Sequence, residues 1–206
     1  MPGPGTALLL EHGPQKGRLL VPSYLGRIDV AQVTVSDDHG ATWHTTNQTF
    51  GPQMGESALT QLPNGSVLLS FRRSPQLPRT GGRSVAVSND GGDTFGPISF
   101  DGPQSNPLCQ GSMVSFGDAT YFSAPAHVSR GNLTIKKSTD NTATWGKSLL
   151  VEAGNSAGYS CLVKGAIQGG DGKVSTDGGI LYEAADGTIK FSRFPLSLDP
   201  SDMPES

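Results

Sequence analysis

Short runs of alternating apolar and polar residues, rarely longer than six positions, recur along the chain. The clearest are Ser66–Phe71, Ser84–Ser88, Ser112–Phe116, Ala119–Ser123, Asn132–Lys137, Cys161–Val163 and Gly179–Glu183. A two-residue period places side chains on opposite faces of an extended chain, so each run predicts a β-strand. Pro63–Gly65, Gly117-Asp118 and Asp186-Gly187 punctuate the runs with turn residues. No window sustains a 3.6-residue apolar period, which excludes long helices and predicts an all-β chain.

The turns themselves carry a repeat. Ser36-Asp37-Asp38-His39-Gly40-Ala41-Thr42-Trp43 fits the pattern S-x-D-x-G-x-T-W. Ser88–Phe95 fits it with Phe in the last place, and Ser138–Trp145 fits it with Thr142 in place of the glycine. The copies start 52 and 50 residues apart. An Asp side chain bonds the backbone N–H groups ahead of it, and a Gly two positions later takes φ > 0 to close the turn. In the third copy Asn141 is expected to adopt that left-handed conformation. The Thr re-enters a strand, and the aromatic ring is expected to pack on the sheet beneath. A turn repeated at fixed period is architecture, so Asp38, Asp90 and Asp140 are read as structural and not as catalytic acids. About four strands per 50-residue period is the pattern of propeller blades. The 206 residues hold about four such blades.

Composition narrows the classes further. Gly 28 and Pro 15 make up about a fifth of the chain, well above the ~12% of average proteins. The net charge is −3 with no Lys/Arg cluster, which argues against a nucleic-acid or anionic-membrane partner. Nothing approaches the ~18 apolar residues of a transmembrane segment. The apolar stretch Thr6–Leu10 is too short for a signal-peptide core. Cys109 and Cys161 permit at most one disulfide and read as small buried residues. Sequons stand at Asn47, Asn64 and Asn132. No His/Cys/Asp cluster has metal-ligand spacing, and no Gly-rich phosphate loop or nucleophile elbow is present, so no cofactor and no metal are expected.

The three turns are Asp boxes, and other segments extend the likeness. These are Gly3-Pro4-Gly5, Gly17-Arg18-Leu19, Gly55-Glu56 leading through Pro63–Ser66 to Arg72, Arg130 before Asn132–Thr134, and Ser156–Ser160 before Ile180–Glu183. This ordered set resembles the exo-α-sialidases (neuraminidases), most of all the animal lysosomal ones. The resemblance implies a six-bladed β-propeller, of which residues 1–198 would be a partial, incomplete ring of about four blades and 199–206 a polar tail. It implies hydrolysis of terminal sialic acid from glycoproteins, oligosaccharides and gangliosides, with sialylated glycoconjugates as partners and a lysosomal location. Residue by residue, it implies that Tyr159 is the nucleophile, Glu56 its base, and Arg72 and Arg130 two of three arginines that bind the substrate carboxylate. The family's first arginine and its acid/base aspartate lie upstream of the matched segments and have no counterpart here, so this chain is expected to turn over poorly by itself.

The chemistry fits those residue types. Sialic acid carries a carboxylate on its anomeric carbon, which would repel an Asp or Glu nucleophile, whereas a phenol is neutral. A phenol with a pKa of about 10 needs a carboxylate to take its proton. Arginine holds a carboxylate with a planar fork and never loses charge. The spacing from Glu56 selects Arg72 over the adjacent Arg73, which points to the opposite face. The bland alternatives are a core tyrosine, a solvated glutamate and loop arginines. For the chain as a whole the alternative is a non-catalytic sialic-acid-binding or structural propeller module.

Overall fold

The computed structural model describes residues 1–26, 30–52, 54–72, 83–100, 108–127, 129–155, 158–164, 167–168, 174–175 and 177–202. Every regular element among them is a strand except one 3-10 turn at Pro200–Asp202. Three four-stranded antiparallel meanders follow one another. The first is β1 (Leu8–Leu9), β2 (Leu19–Leu25), β3 (Val30–Ser36) and β4 (His44–Thr45). The second is β5 (Ala58–Gln61), β6 (Val67–Phe71), β7 (Ser84–Ser88) and β8 (Ser99–Phe100). The third is β9 (Ser112–Phe116), β10 (Ala119–Pro125), β11 (Gly131–Ser138) and β12 (Ser148–Asn155). In the fourth, β13 (Ser160–Val163) pairs with β16 (Gly178–Glu183), and β16 with β17 (Ile189–Phe194). A separate ribbon of β14 (Ile167–Gln168) and β15 (Val174–Ser175) lies between β13 and β16 in sequence. These are four blades of a partial propeller. All seven runs read from the sequence fall on strands.

The blades stack face to face because their inner strands are apolar on both sides. In β6, Val67, Leu69 and Phe71 join Leu20, Val33, Val35, Phe50 and Phe95 in the core between the first two blades. Leu68, on the opposite face, joins Val85, Met113 and Phe122 in the next core. Tyr121, Leu133 and Ile135 of the third blade meet Leu162, Ile180, Tyr182 and Phe194 of the fourth. Each such buried side chain stabilises the fold by about 1.5–3 kcal/mol. The outward face of the fourth blade is different: Leu181, Phe191 and Ile189 are 46%, 50% and 63% exposed.

The Asp boxes close in the manner their residues dictate. In each, the first Ser hydroxyl donates to the Asp carboxylate (Ser36–Asp38 2.8 Å, Ser88–Asp90 2.7 Å, Ser138–Asp140 2.8 Å). The Asp then accepts both the backbone N–H and the hydroxyl of Thr42, Thr94 or Thr144. At Asp38 and Asp140 the threonine hydroxyl, its backbone N–H and the serine hydroxyl hold the carboxyl down at about 2. At Asp90 burial opposes the same bonds, and the carboxyl still falls to about 2. Their structural role is thereby explained. Arg18 ties two boxes together, its Nε 2.7 Å from Asp37 and its Nη1 2.6 Å from Asp93. The aromatic positions diverge from expectation: Phe95 packs inward on Phe50 and Trp145 on Phe122, but Trp43 is 46% exposed. The indole N–H of Trp43 bonds back to the Gly40 carbonyl at 3.0 Å.

The third box takes two left-handed residues in succession, Asn141 at φ 55° and Thr142 at φ 70°. Asn tolerates this region, but a β-branched residue is strained there. Thr142→Gly is therefore expected to stabilise the chain by about 1 kcal/mol, net of the added freedom of the unfolded chain. A thermal melt should move up by about 2–4 °C, and a melt that stays or falls would refute the strain.

The tail begins with order. Asp199 accepts the backbone N–H of Ser201 at 3.0 Å and its hydroxyl at 2.8 Å, and Leu198 is buried.

Candidate active site

Antiparallel meanders set every first strand in the same direction. The residues just before β5, β9 and β13 therefore share one rim with the β6 end and the β10–β11 turn. All four residues singled out from the sequence lie on this rim. Glu56 precedes β5 by two residues and is buried, with φ 53°. Arg72 is one residue past the end of β6. Arg130 sits in the turn between β10 and β11 at φ 60°. Tyr159 leads directly into β13. Non-glycine residues persist in the left-handed region only where the surroundings over-determine them, and such strain gathers at functional sites. Glu56, Leu108 (φ 52°) and Arg130 all carry it here.

Three blades contribute to one cluster. The Tyr159 hydroxyl donates to Glu56 Oε1 at 2.5 Å. Arg72 Nη1 donates to Glu56 Oε2 and lies 3.3 Å from the Tyr159 hydroxyl. Arg130 completes the group. It joins through a shared acceptor, the Leu108 carbonyl, which receives Arg72 Nε at 3.0 Å and Arg130 Nη2 at 3.2 Å. The phenol is pushed up to about 12, first by burial, then by the Glu56 hydrogen bond and charge, with Arg72 pulling the other way. A phenol so placed keeps its proton until a base removes it, and the side chain of Glu56 stands in contact with it. A cavity of about 170 Å³ opens beside Tyr159, walled by Pro4, Gly5, Gln110, Tyr182 and Glu183. A larger one of about 380 Å³ lies toward the other ends of the first strands, near Ser115 and the Glu11–Lys164 ion pair, away from these residues.

Several supporting residues escaped the sequence. Arg83 is fully buried and spends its fork on Ser70 Oγ (2.8 Å), the Ser70 carbonyl (3.3 Å) and the Cys109 carbonyl (3.2 Å), with its guanidinium over the Phe122 ring. Gln110 and Glu183 bond the backbone around Tyr159. The one available signal was a charged residue, Arg83, opening the apolar run Ser84–Ser88. Both cysteines are free thiols. Cys109 is buried behind the site, its Sγ 3.3 Å from the Gly158 carbonyl, and burial pushes its thiol up. Arg73 and Ser156-Ala157 lie outside the described residues.

Comparison with known proteins bears on the family and the fold. A family model described as a BNR repeat-like domain matches residues 1–175. A sialidase of Micromonospora viridifaciens is 35% identical over 94% of this chain and 30% of its own length. Human Sialidase-4 is 34% identical over 55% of this chain and 26% of its own. Among solved structures, the Hadza microbial sialidase Hz136 superposes with a TM-score of 0.77 at 28% identity, covering 96% of this chain and 38% of that one. The leech intramolecular trans-sialidase, at 23% identity and a TM-score of 0.73, shares the fold. The chain thus spans well under half the length of these relatives. With four antiparallel blades, three Asp boxes and these matches, the chain belongs to the sialidase family of BNR-repeat propellers.

Proposed function

We propose that this chain supplies the nucleophile, its base and two carboxylate-binding arginines of a retaining exo-α-sialidase acting on terminal sialic acid of glycoproteins, oligosaccharides and gangliosides. The observation that carries this reading is the contact of the Tyr159 hydroxyl with Glu56, with Arg72 against both. Tyr159 Oη attacks the anomeric carbon while its proton passes to Glu56. The glycosidic bond breaks as the aglycone oxygen takes a proton from an acid outside the residues described. Water then attacks the anomeric carbon and gives a proton to the conjugate base of that acid; the tyrosyl–sugar bond breaks, Glu56 returns its proton to Tyr159, and the configuration is retained overall. Arg72 and Arg130 hold the substrate carboxylate, so Arg72 exchanges part of its bond to Glu56 for the sugar. The exposed Asn47, Asn64 and Asn132 sequons support a lumenal setting, and the lysosome is the location that the resemblance to the animal lysosomal sialidases implies.

Calorimetric titration of the purified chain with free sialic acid tests the carboxylate site. Arg72→Ala and Arg130→Ala are each expected to weaken binding by about 1.5–3 kcal/mol, the worth of a hydrogen bond to a charged group. The methyl ester of the sugar should bind no better than the variants do. Affinity unchanged from the parent chain in both arginine variants would remove the reading.

A further inference from the structure

Three residues ahead of β9, with no part in the chemistry above, bond both arginines of the site and the backbone on either side of Tyr159. The Leu108 carbonyl accepts from Arg72 and Arg130. The Cys109 carbonyl accepts from the buried Arg83, and its thiol meets the Gly158 carbonyl. Gln110, 2% exposed, spends both ends of its carboxamide on the residue after Tyr159. Its Nε2 donates to the Ser160 carbonyl at 3.0 Å, and its Oε1 accepts the Ser160 N–H at 3.1 Å.

That double bond replaces a missing strand. On one side β13 is paired with β16, and the Tyr159 carbonyl accepts the Glu183 N–H at 3.0 Å. At Ser160 the backbone groups point the other way, where a buried edge would leave them unsatisfied. The carboxamide of Gln110 satisfies both. Tyr159 is thus gripped from two directions, because its own N–H also donates to Glu183 Oε2 at 3.1 Å. A tyrosine hydroxyl sits at the end of a long rigid lever, so a small backbone shift at 159–160 carries Oη out of its contact with Glu56. Misplacement of a reacting group by about 1 Å can cost as much as 10²-fold in rate.

We propose that Gln110 is a positioning residue for Tyr159: its carboxamide clamps the Ser160 backbone, aims the phenol at Glu56, and couples that aim to the Leu108 carbonyl that orients both arginines. The catalytic meaning rests on the sialidase reading, but the clamp itself can be measured without turnover.

The test uses the whole chain labelled with [13Cζ]tyrosine. Its 4 tyrosines give separable resonances, and Tyr159→Phe identifies that of Tyr159. Glu56→Gln marks the shift of a phenol deprived of its carboxylate. Gln110→Met keeps the size of the side chain and removes both bonds. It is expected to move the Tyr159 resonance at least half of the way to the Glu56→Gln position while Tyr24, Tyr121 and Tyr182 stay in place. Gln110→Glu retains an acceptor for the Ser160 N–H and should move it less. If Gln110→Met fails to unfold cooperatively, the Gln110→Glu spectrum decides: movement of Tyr159 alone supports the clamp. An unmoved Tyr159 resonance, or all four resonances moving together, overturns it. In an active closed ring, Gln110→Met should also lower kcat by about ten- to a hundredfold with KM nearly unchanged. Absence of any turnover would count against the sialidase reading and leave the spectral result standing.

Discussion

Glutamine at position 56 is expected to cut turnover of a fluorogenic sialoside by about 10²–10⁴-fold, the usual worth of a general base. Phenylalanine at position 159 is expected to abolish it. The reason lies in the proton. Burial first, then the hydrogen bond and charge of Glu56, raise the Tyr159 phenol to about 12. At mildly acidic pH only about one phenol in 10⁷ would be ionised unaided. In the proposed reaction the nucleophile is therefore made during attack, by transfer to the carboxylate it already touches at 2.5 Å. Turnover is measured in a polypeptide that places this chain in a closed ring. The chain alone gives the companion observation: by difference absorbance against Tyr159→Phe, the phenol of Glu56→Gln should titrate below about 12, while burial keeps it above the ordinary tyrosine value. Full turnover by Tyr159→Phe would eliminate the nucleophile. Sugar binding with no turnover in the closed ring would assign the chain to a non-catalytic sialic-acid-binding module.

Alanine at position 158 should be the most damaging small substitution near the site. Gly158 adopts φ 110°, which L side chains rarely enter. An added Cβ would stand 2.8 Å from the buried Cys109 Sγ and 3.3 Å from Arg130 Cδ. Backbone strain and overpacking together cost about 2–5 kcal/mol. The chain relieves that cost by pushing apart the segments that hold Tyr159 and Arg130. Urea denaturation reads the loss, and Cys109→Ala in the same background should restore the packing part but not the backbone part. A Gly158→Ala chain as stable as the parent would contradict both contributions.

Much of this was legible from residue types alone. Alternation marked β11 and β13, where buried and less buried positions take turns, while β6 and β10 stood out as short runs because both of their faces are buried. The Asp boxes showed themselves because each turn satisfies its own polar groups from within eight residues. Other strands were masked: Pro22 interrupts β2, while β1, β4 and β8 have only two residues each. At the site, Glu56, Arg72, Arg130 and Tyr159 were named through the family motifs. Their convergence is a matter of how blades stack, which no local pattern encodes. Leu108 and Cys109 act through backbone carbonyls, and Gln110 acts on a backbone 50 residues away. Nothing in Leu-Cys-Gln-Gly signals either.

The Tyr159–Glu56 contact joins residues 103 apart in sequence. A cut between the second and third blades would leave Glu56 and Arg72 on one piece and Arg130 and Tyr159 on the other. Neither piece would hold both of the arginines proposed to bind the sugar carboxylate. Such halves form a natural complementation pair, in which recovered ligand affinity reports that the two fragments have found each other.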